Sequence, residues 1–345
     1  VSTTRTRPDA RPVTRRRLGW LLAASVLLLG LVAMLSLAIG SRDIELGLVL
    51  DALRNPGRGG TDAMVVLDLR VPRTLIGMAA GAALGLAGTL MQGLTRNPIA
   101  DPGILGISAG AALGVVIAIT SLGITGASGY IWFALAGALI AAVVVYGISS
   151  TGIGGASPVR LALTGSAITA AIGSILTLVL LSNPATLNQY RFWAVGSLVG
   201  RSLDALLALV PFLLIGGILA LSLGRSLNLL AMGEDIARGL GQNVTRTRAL
   251  VAVAVVLLAG TATALAGPIV LLGLAVPHIA RSFTGPDYRW ILAYSVVIGA
   301  GLLVVADIIG RLVVRPGELE VGVVAAFLGA PVMIALVRRS RVTGL

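Results

Sequence analysis

Two apolar runs, LLALVPFLLIGGILALSL at 206–223 and ALVAVAVVLLAGTATALA at 249–266, constrain this chain more than any other feature. At about 1.5 Å of rise per helical residue, each reaches most of the way across about 30 Å of hydrocarbon. Further runs stand at 18–40, 74–92, 104–122, 130–148, 161–181, 290–309 and 321–337. Segments of this kind must satisfy their backbone polar groups internally, so they specify helices. Charge agrees: Asp, Glu, Lys and Arg make up 12% of the 345 residues, against roughly 25% in soluble domains. The expected fold is an all-α polytopic membrane protein.

Glycine placement says how such helices pack. Gly77, Gly81 and Gly85 recur every four residues in the run at 74–92, with Gly88 close by, and Gly106, Gly110 and Gly114 do so in the next run. Ridges of this kind let helix backbones approach closely. The polar interval at 41–69 contains Leu46–Leu53, readable as a short interfacial helix. Pro98 and Pro102 stop helices in MQGLTRNPIADPG. Residues 183–205, with Tyr190, Phe192 and Trp193 beside Arg191, suit an interfacial or re-entrant helix. GPIVLLGLAVPHIA at 267–280 is short and broken by Pro268, Gly273 and Pro277.

Parity decides how to treat that broken piece. If it crosses, the chain has ten spans and both basic termini lie on one side. Every basic residue is Arg, and the ten-span topology puts 17 of the 26 inside and 9 outside, the expected positive-inside bias. The domain expectation is a cytoplasmic basic tail at 1–17, one ten-helix membrane domain at 18–338 and a cytoplasmic tail at 339–345. The run at 18–40 exceeds the usual signal-peptide core, so it reads as the first span and not as a segment cleaved near Ala38-Ile39-Gly40.

The polar stretch Arg225–Arg248, between the two runs first named, then faces the cytoplasm. Leu229–Leu240 reads as a short helix with Leu230, Ile236 and Leu240 as packing positions, Glu234 and Arg238 paired at i,i+4, and Gly239 and Gly241 ending it. It is either a docking element for a cytoplasmic partner or a solvated amphipathic loop. The chain has no Cys, which removes disulfides and thiolate ligation. It has no Lys, hence no phosphate-binding Gly-x-x-x-x-Gly-Lys loop, and cannot hydrolyse ATP itself. His278 is the single histidine and has no companions at ligand spacing, so no metal site is expected. The net charge of +12 is scattered over loops without an aromatic-basic platform, which argues against nucleic acid.

Six ordered blocks carry a resemblance. RVPRTL (70–75), GAALGLAGTLMQGLTRNPIADPGILGISAGA (81–111), GEDIARGLG (233–241), GPIVLLGLAVPHIAR (267–281), ADIIGRL (306–312) and GVVAAFLGAPVMI (322–334) resemble the FecCD-type permease subunits of binding-protein-dependent ABC importers for iron–siderophore complexes, haem and cobalamin. The resemblance covers roughly residues 18–338 and is similar to the vitamin B12 importer permease. It implies a ten-helix, large-type (type II) importer permease in the bacterial inner membrane, not itself an enzyme. It also implies a second permease subunit, identical or related, two cytoplasmic ATPase subunits and an extracytoplasmic substrate-binding protein. The chain would bind no cofactor; ATP and Mg belong to the ATPase partner.

Site residues follow from the same resemblance, block by block. Gly233, Glu234, Arg238, Leu240 and Gly241 match the loop that couples to the ATPase. Arg70, Arg73 and Arg311 match the arginines that receive acidic residues of the binding protein; membrane-border anchoring is the plainer alternative. Gln92, Asn97, Pro98, Pro277, His278 and Asp307 fall in structural or gating motifs. The translocation pathway would run along Thr164, Ser166, Thr169, Ser174 and Thr177 in the run at 161–181, and past Gly322 and Gly329 in the last run. Hydroxyls there could equally bond helix to helix.

The cargo expected from the family is an iron(III)–siderophore complex, with haem or cobalamin as alternatives carried by the same machinery. An ion-coupled secondary transporter is the competing class. It would call for a membrane-embedded carboxylate and a visible inverted repeat. Asp307 is the one acid near a span interior, and no such repeat is evident.

Overall fold

The computed structural model describes residues 15–40, 42–56, 60–124, 126–151 and 157–340. Residues 1–14, 57–59 and 341–345, among them most of the basic tail and Arg341, lie outside them. The described residues form helices joined by short loops: α1 (Arg15–Ala38), α2 (Leu46–Arg54), α3 (Thr61–Thr95), α4 (Ile107–Leu122), α5 (Ala127–Ser150), α6 (Pro158–Ser182), α7 (Pro184–Ala194), α8 (Leu203–Ser222), α9 (Gly224–Ala231), α10 (Glu234–Gly239), α11 (Val244–Ala266), α12 (Leu272–Thr284), α13 (Tyr288–Val313) and α14 (Val321–Ser340). Seven of them, α1, α3, α5, α6, α8, α11 and α13, are long and apolar enough to cross a membrane. Ile107–Leu122 and Val321–Ile334 are shorter apolar helices, and α12 is the Pro-containing broken piece.

Helix α3 is the axis of the bundle. It runs well beyond the apolar stretch 74–92, because residues 61–73 continue the same helix through a π-helical segment at Val65–Arg70. Its glycine ridge does what the spacing anticipates. Gly81 lies on the Gly299 carbonyl of α13, Gly85 on the Ser295 carbonyl, and Gly88 against the Gly273 carbonyl of α12. A Cβ at any of the three would collide with backbone. Thr89 Oγ1 and Ser295 Oγ, 2.8 Å apart and buried, add a hydrogen bond across the same α3–α13 seam.

Helices α4 and α12 each follow irregular backbone. Arg96 ends α3 in the left-handed conformation, Asn97 Oδ1 accepts from the Ile99 N–H at 3.0 Å, and Asp101 caps the turn Pro102–Leu105 that leads into α4. Before α12, residues 267–271 form a non-helical strap that ends at Leu271, also left-handed. The two meet where Asp101 and Pro102 lie against Gly273. Non-helical backbone at this depth is tolerated because it is enclosed by protein.

The interval at 183–205 holds α7 and the first residues of α8; Trp193 of α7 is buried while Phe192 stays exposed with Arg191 over its ring at 4.9 Å. The polar stretch at 225–248 forms two helices, α9 and α10, not one from Leu229 to Leu240. The chain breaks at Met232-Gly233, where Gly233 takes φ +114°.

Candidate functional site

Polar side chains concentrate at the two ends of the bundle. At one end, three arginines and Asp307 close around the C-terminus of α1. Arg70 Nη1 donates to the carbonyls of Leu37 and Ala38, both at 2.7 Å, and its Nη2 to that of Arg42. Arg311 Nη1 donates to the carbonyls of Ser36 and Ile39 at 2.8 Å, and Nη2 to Ser36 Oγ at 2.6 Å. The last carbonyls of a helix have no intrahelical donors and carry partial negative charge, so two guanidinium groups are well placed there.

Asp307 joins the two lobes of this cluster. Its Oδ1 accepts from Arg73 Nη2 at 2.7 Å and its Oδ2 pairs with Arg311 Nη2 at 2.9 Å. Arg73 reaches further, to Glu318 in the α13–α14 loop at 2.6 Å. Arg315 holds Asp43 at 2.7 Å on the outer side of the same group. The hydrogen bond from Arg315 keeps the Asp43 carboxyl below its ordinary range. Beside the cluster opens a cavity of about 440 Å³, whose wall includes Arg70, Arg73, Arg201, Arg311, Asp68 and Glu318.

The three arginines expected to meet a binding protein differ in accessibility. Arg70 and Arg311 are 6% and 2% exposed, with their Nη groups bonded around the end of α1 and, for Arg311, to Asp307, while Arg311 Nε has no partner among the described residues. The reason is physical: carbonyls at a buried helix end need donors, and these arginines supply them to Ser36, Leu37, Ala38 and Ile39. Arg73 keeps a partly accessible side chain beside the cavity, with Glu318 on its outer nitrogen. Asp307 is thus the shared counter-ion of Arg73 and Arg311.

At the other end, α10 projects from the bundle. Leu227 and Leu230 of α9 and Ala237 of α10 are buried, while Met232, Ile236 and Leu240 are exposed. Leu230 is therefore an anchor, and Ile236 and Leu240 are free to meet another surface. Glu234 forms an ion pair with Arg248 at the start of α11 and a looser one with Arg238 at 3.4 Å. Gln242 Nε2 ties the loop back to the Ser226 carbonyl at 3.1 Å and Thr247 Oγ1 at 3.0 Å. Gly241, at φ +82°, ends this turn.

A chain of side chains leads from α9 into the bundle. Asn228 Nδ2 donates to Asp287 Oδ1 at 2.7 Å, and Asn228 Oδ1 accepts from the Tyr288 N–H at 2.8 Å. Tyr288 Oη accepts from Arg281 Nη2 at 3.0 Å, and Arg281 Nη1 donates to Gln92 Oε1 at 3.0 Å. Gln92 Nε2 donates to the Leu274 carbonyl of α12 at 3.3 Å. The hydrogen bond from Arg289, helped by the one from Asn228, holds the Asp287 carboxyl at about 2 against the burial that opposes it. Of these residues only Gln92 is among the expected site positions. Arg281 stands in a quoted block, and nothing in the local pattern marks Asn228, Asp287 or Tyr288.

The expected pathway residues divide. Ser166, Thr169, Ser174 and Thr177 are exposed on α6 and Thr164 is half-buried. Ser166, Ser174 and Thr177 each bond a carbonyl one turn back, at 2.8–3.0 Å, so none of these three bonds another helix. Gly322 packs on the Val195 and Gly196 backbone, and Gly329 on the Leu271 side chain. Pro277 is buried inside α12 and His278 half-buried, one turn before Arg281. Asn97 and Pro98 lie in the exposed turn after α3. Among the described residues, no group of three or more His, Cys, Asp or Glu is placed to hold a metal ion.

Comparison with known proteins gives consistent results. Residues 27–339 match the family model described as the FecCD transport family. The ferric enterobactin transport system permease protein FepD of Escherichia coli (strain K12) is 46% identical over 91% of this chain and 93% of that protein. The hemin transport system permease protein HmuU of Yersinia pestis is 36% identical over 90% and 94%. Among solved structures, a metal-chelate type ABC transporter in an inward-facing conformation superposes with a TM-score of 0.82 at 26% identity, covering 93% of this chain and 99% of that one.

Proposed function

The chain belongs to the FecCD transport family, and from that premise we propose that it is the permease subunit of an ATP-driven, binding-protein-dependent importer of an iron(III)–siderophore complex. The observation that carries the cargo is the 46% identity, over nearly the whole chain, to a permease named for ferric enterobactin. Relatives named for hemin and for iron(III) citrate keep a broader chelate class in view. In this reading the subunit sits in the cytoplasmic membrane with ten crossings and both termini inside. One membrane domain at 18–338 lies between basic tails and pairs with a second permease, two ATPase subunits and an external binding protein.

Each step is a matter of position, since the chain supplies no reacting group. An ATPase cleft would receive α10 through exposed Ile236 and Leu240, with Glu234 and Arg238 at its rim and Gly233 and Gly241 setting the turns. Movement of that loop passes through Asn228, Tyr288 and Arg281 to α12 and Gln92 on α3. The binding protein would dock at the outer cluster, where Arg73 is the accessible arginine and Arg70 and Arg311 hold the platform. The cargo arrives fully chelated, so the path needs width and no ligating side chains. Own-backbone bonding of Ser166, Ser174 and Thr177 on α6 favours such a non-binding wall. ATP and Mg remain on the ATPase.

The test is uptake. In a strain lacking this chain, accumulation of a labelled iron(III)–siderophore should return with the gene, while hemin and cobalamin uptake should not. Restoration of cobalamin or hemin uptake alone would overturn the cargo, and uptake in cells depleted of the ATPase would overturn the mechanism.

A further inference from the structure

A groove of about 420 Å³ runs along α1 where it packs on α13, with α12 on its far side. Leu21 and Leu28 of α1, Phe283 of α12, and Tyr294, Ile298 and Leu302 of α13 are among its lining residues. The two hydroxyls in the wall are already spent on α1 backbone: Ser25 Oγ donates to the Leu21 carbonyl and Tyr294 Oη to that of Leu18, both at 2.8 Å. What remains facing the groove is hydrocarbon. From Leu21 to Val32 it follows α1 for about 16 Å. That is about half of the 30 Å hydrocarbon core, the depth of one leaflet.

Charge marks one end. The lining positions 21, 24, 25, 28, 29 and 32 of α1 recur at helical spacing, and one turn back from Leu21 on the same face stands Arg17. Arg15, Arg16 and Arg17 are all exposed, and none pairs with a carboxylate among the described residues, unlike Arg73, Arg248, Arg289, Arg311 and Arg315. Trp20, 70% exposed, stands near the same end, where an interfacial indole belongs. An unpaired basic group at the mouth of an apolar slot one leaflet deep fits one kind of molecule. It has a negative head and a hydrocarbon tail.

We propose that this groove holds an acyl chain of an anionic phospholipid of the inner leaflet, with its phosphate headgroup bound by Arg17 and the flanking Arg15 and Arg16. A basic site between helices on the cytoplasmic side is the setting in which anionic headgroups are selected over neutral ones. The leaflet assignment rests on the topology proposed above; the groove and its basic end do not. The bound chain fills the space between α1 and the α12–α13 pair, and thereby holds α1 against the broken helix.

The experiment uses the assembled transporter extracted from vesicles of phosphatidylcholine and phosphatidylglycerol in equal parts, with retained lipid counted by mass spectrometry. Wild type should retain about one more phosphatidylglycerol per permease than R15Q/R16Q/R17Q, and no extra phosphatidylcholine. R15K/R16K/R17K should retain it, since charge is kept. Gly301→Leu, which keeps the arginines but pushes a side chain into the groove, should lose it. Equal phosphatidylglycerol counts in wild type and the glutamine variant, or equal retention of phosphatidylcholine, would overturn the site. So would a cysteine at position 283 that cross-links to another subunit, because the groove would then be covered by protein. Reversed topology would instead appear as retention of lipid supplied only to the outer leaflet, a result that moves the site across the membrane without removing it.

Discussion

Asp307 is 1% exposed and holds Arg311, itself almost out of reach of water, together with the partly accessible Arg73. A buried charge stripped of its partner costs about 3–5 kcal/mol, more than any single surface ion pair returns. Asp307→Asn should therefore destabilise the purified complex by that order, read as a large drop in its thermal midpoint in lipid. Glu318→Gln removes only the outer, partly solvated partner of Arg73 and should cost about 1 kcal/mol or less. Equal losses in the two variants would refute the shared counter-ion assignment. The arginines themselves were legible in the sequence as outer residues of two spaced blocks. Their burial was not, because it depends on the α1 terminus, which folds back against α3 and α13 from far away in the chain.

At the scale of elements, the link from α9 to α12 is the feature with most consequence. Asn228→Ala leaves the Tyr288 N–H and Asp287 Oδ1 each short of a partner, and Tyr288→Phe removes the acceptor of Arg281. A link of this kind is worth about 1–3 kcal/mol, so substrate-stimulated ATP hydrolysis should fall about fivefold or more while basal hydrolysis and assembly persist. If both variants transport normally per ATP, the link carries no coupling. Acid should leave it intact over a wide range. The Asp287 carboxyl sits at about 2, below its usual 3.8, so its contribution is fully present above about pH 4 and is lost only as pH falls through 2. Coupling measured between about pH 5 and 8 should show no step from this group. Replacing Glu234 with Arg should uncouple the loop, since it sets a third cation between Arg238 and Arg248. Transport at the wild-type rate per ATP in that variant would discard the loop assignment. The loop was readable as a polar interruption between two spans. Its division into α9 and α10 turns on Gly233, whose backbone conformation one residue type does not announce.

For the molecule as a whole, apolar periodicity and the α3 glycine ridge were sufficient to anticipate a packed helical bundle. They were not sufficient for α4 and α12, where irregular backbone precedes a short helix and only the surrounding helices make that permissible. The number of crossings hinges on α12. Its 13 residues rise about 20 Å, and the strap at 267–271 adds up to about 16 Å if extended, together enough for about 30 Å of hydrocarbon. With that crossing, Arg338 and its neighbours lie on the same side as Arg15, Arg16 and Arg17, and 17 of 26 arginines face the cytoplasm. Without it, Arg281, Arg289 and the three C-terminal arginines face outward while Arg311 and Arg315 turn inward, and the bias weakens to 14 against 12. A phosphatase active only outside the cytoplasmic membrane should then be silent when fused after Arg341 and active when inserted at Gly59. A fluorescent protein that matures only in the cytoplasm should give the opposite pattern at the same two positions. Phosphatase activity at Arg341 would mean that α12 and its strap re-enter on the side they left, and the ten-crossing topology would have to be abandoned.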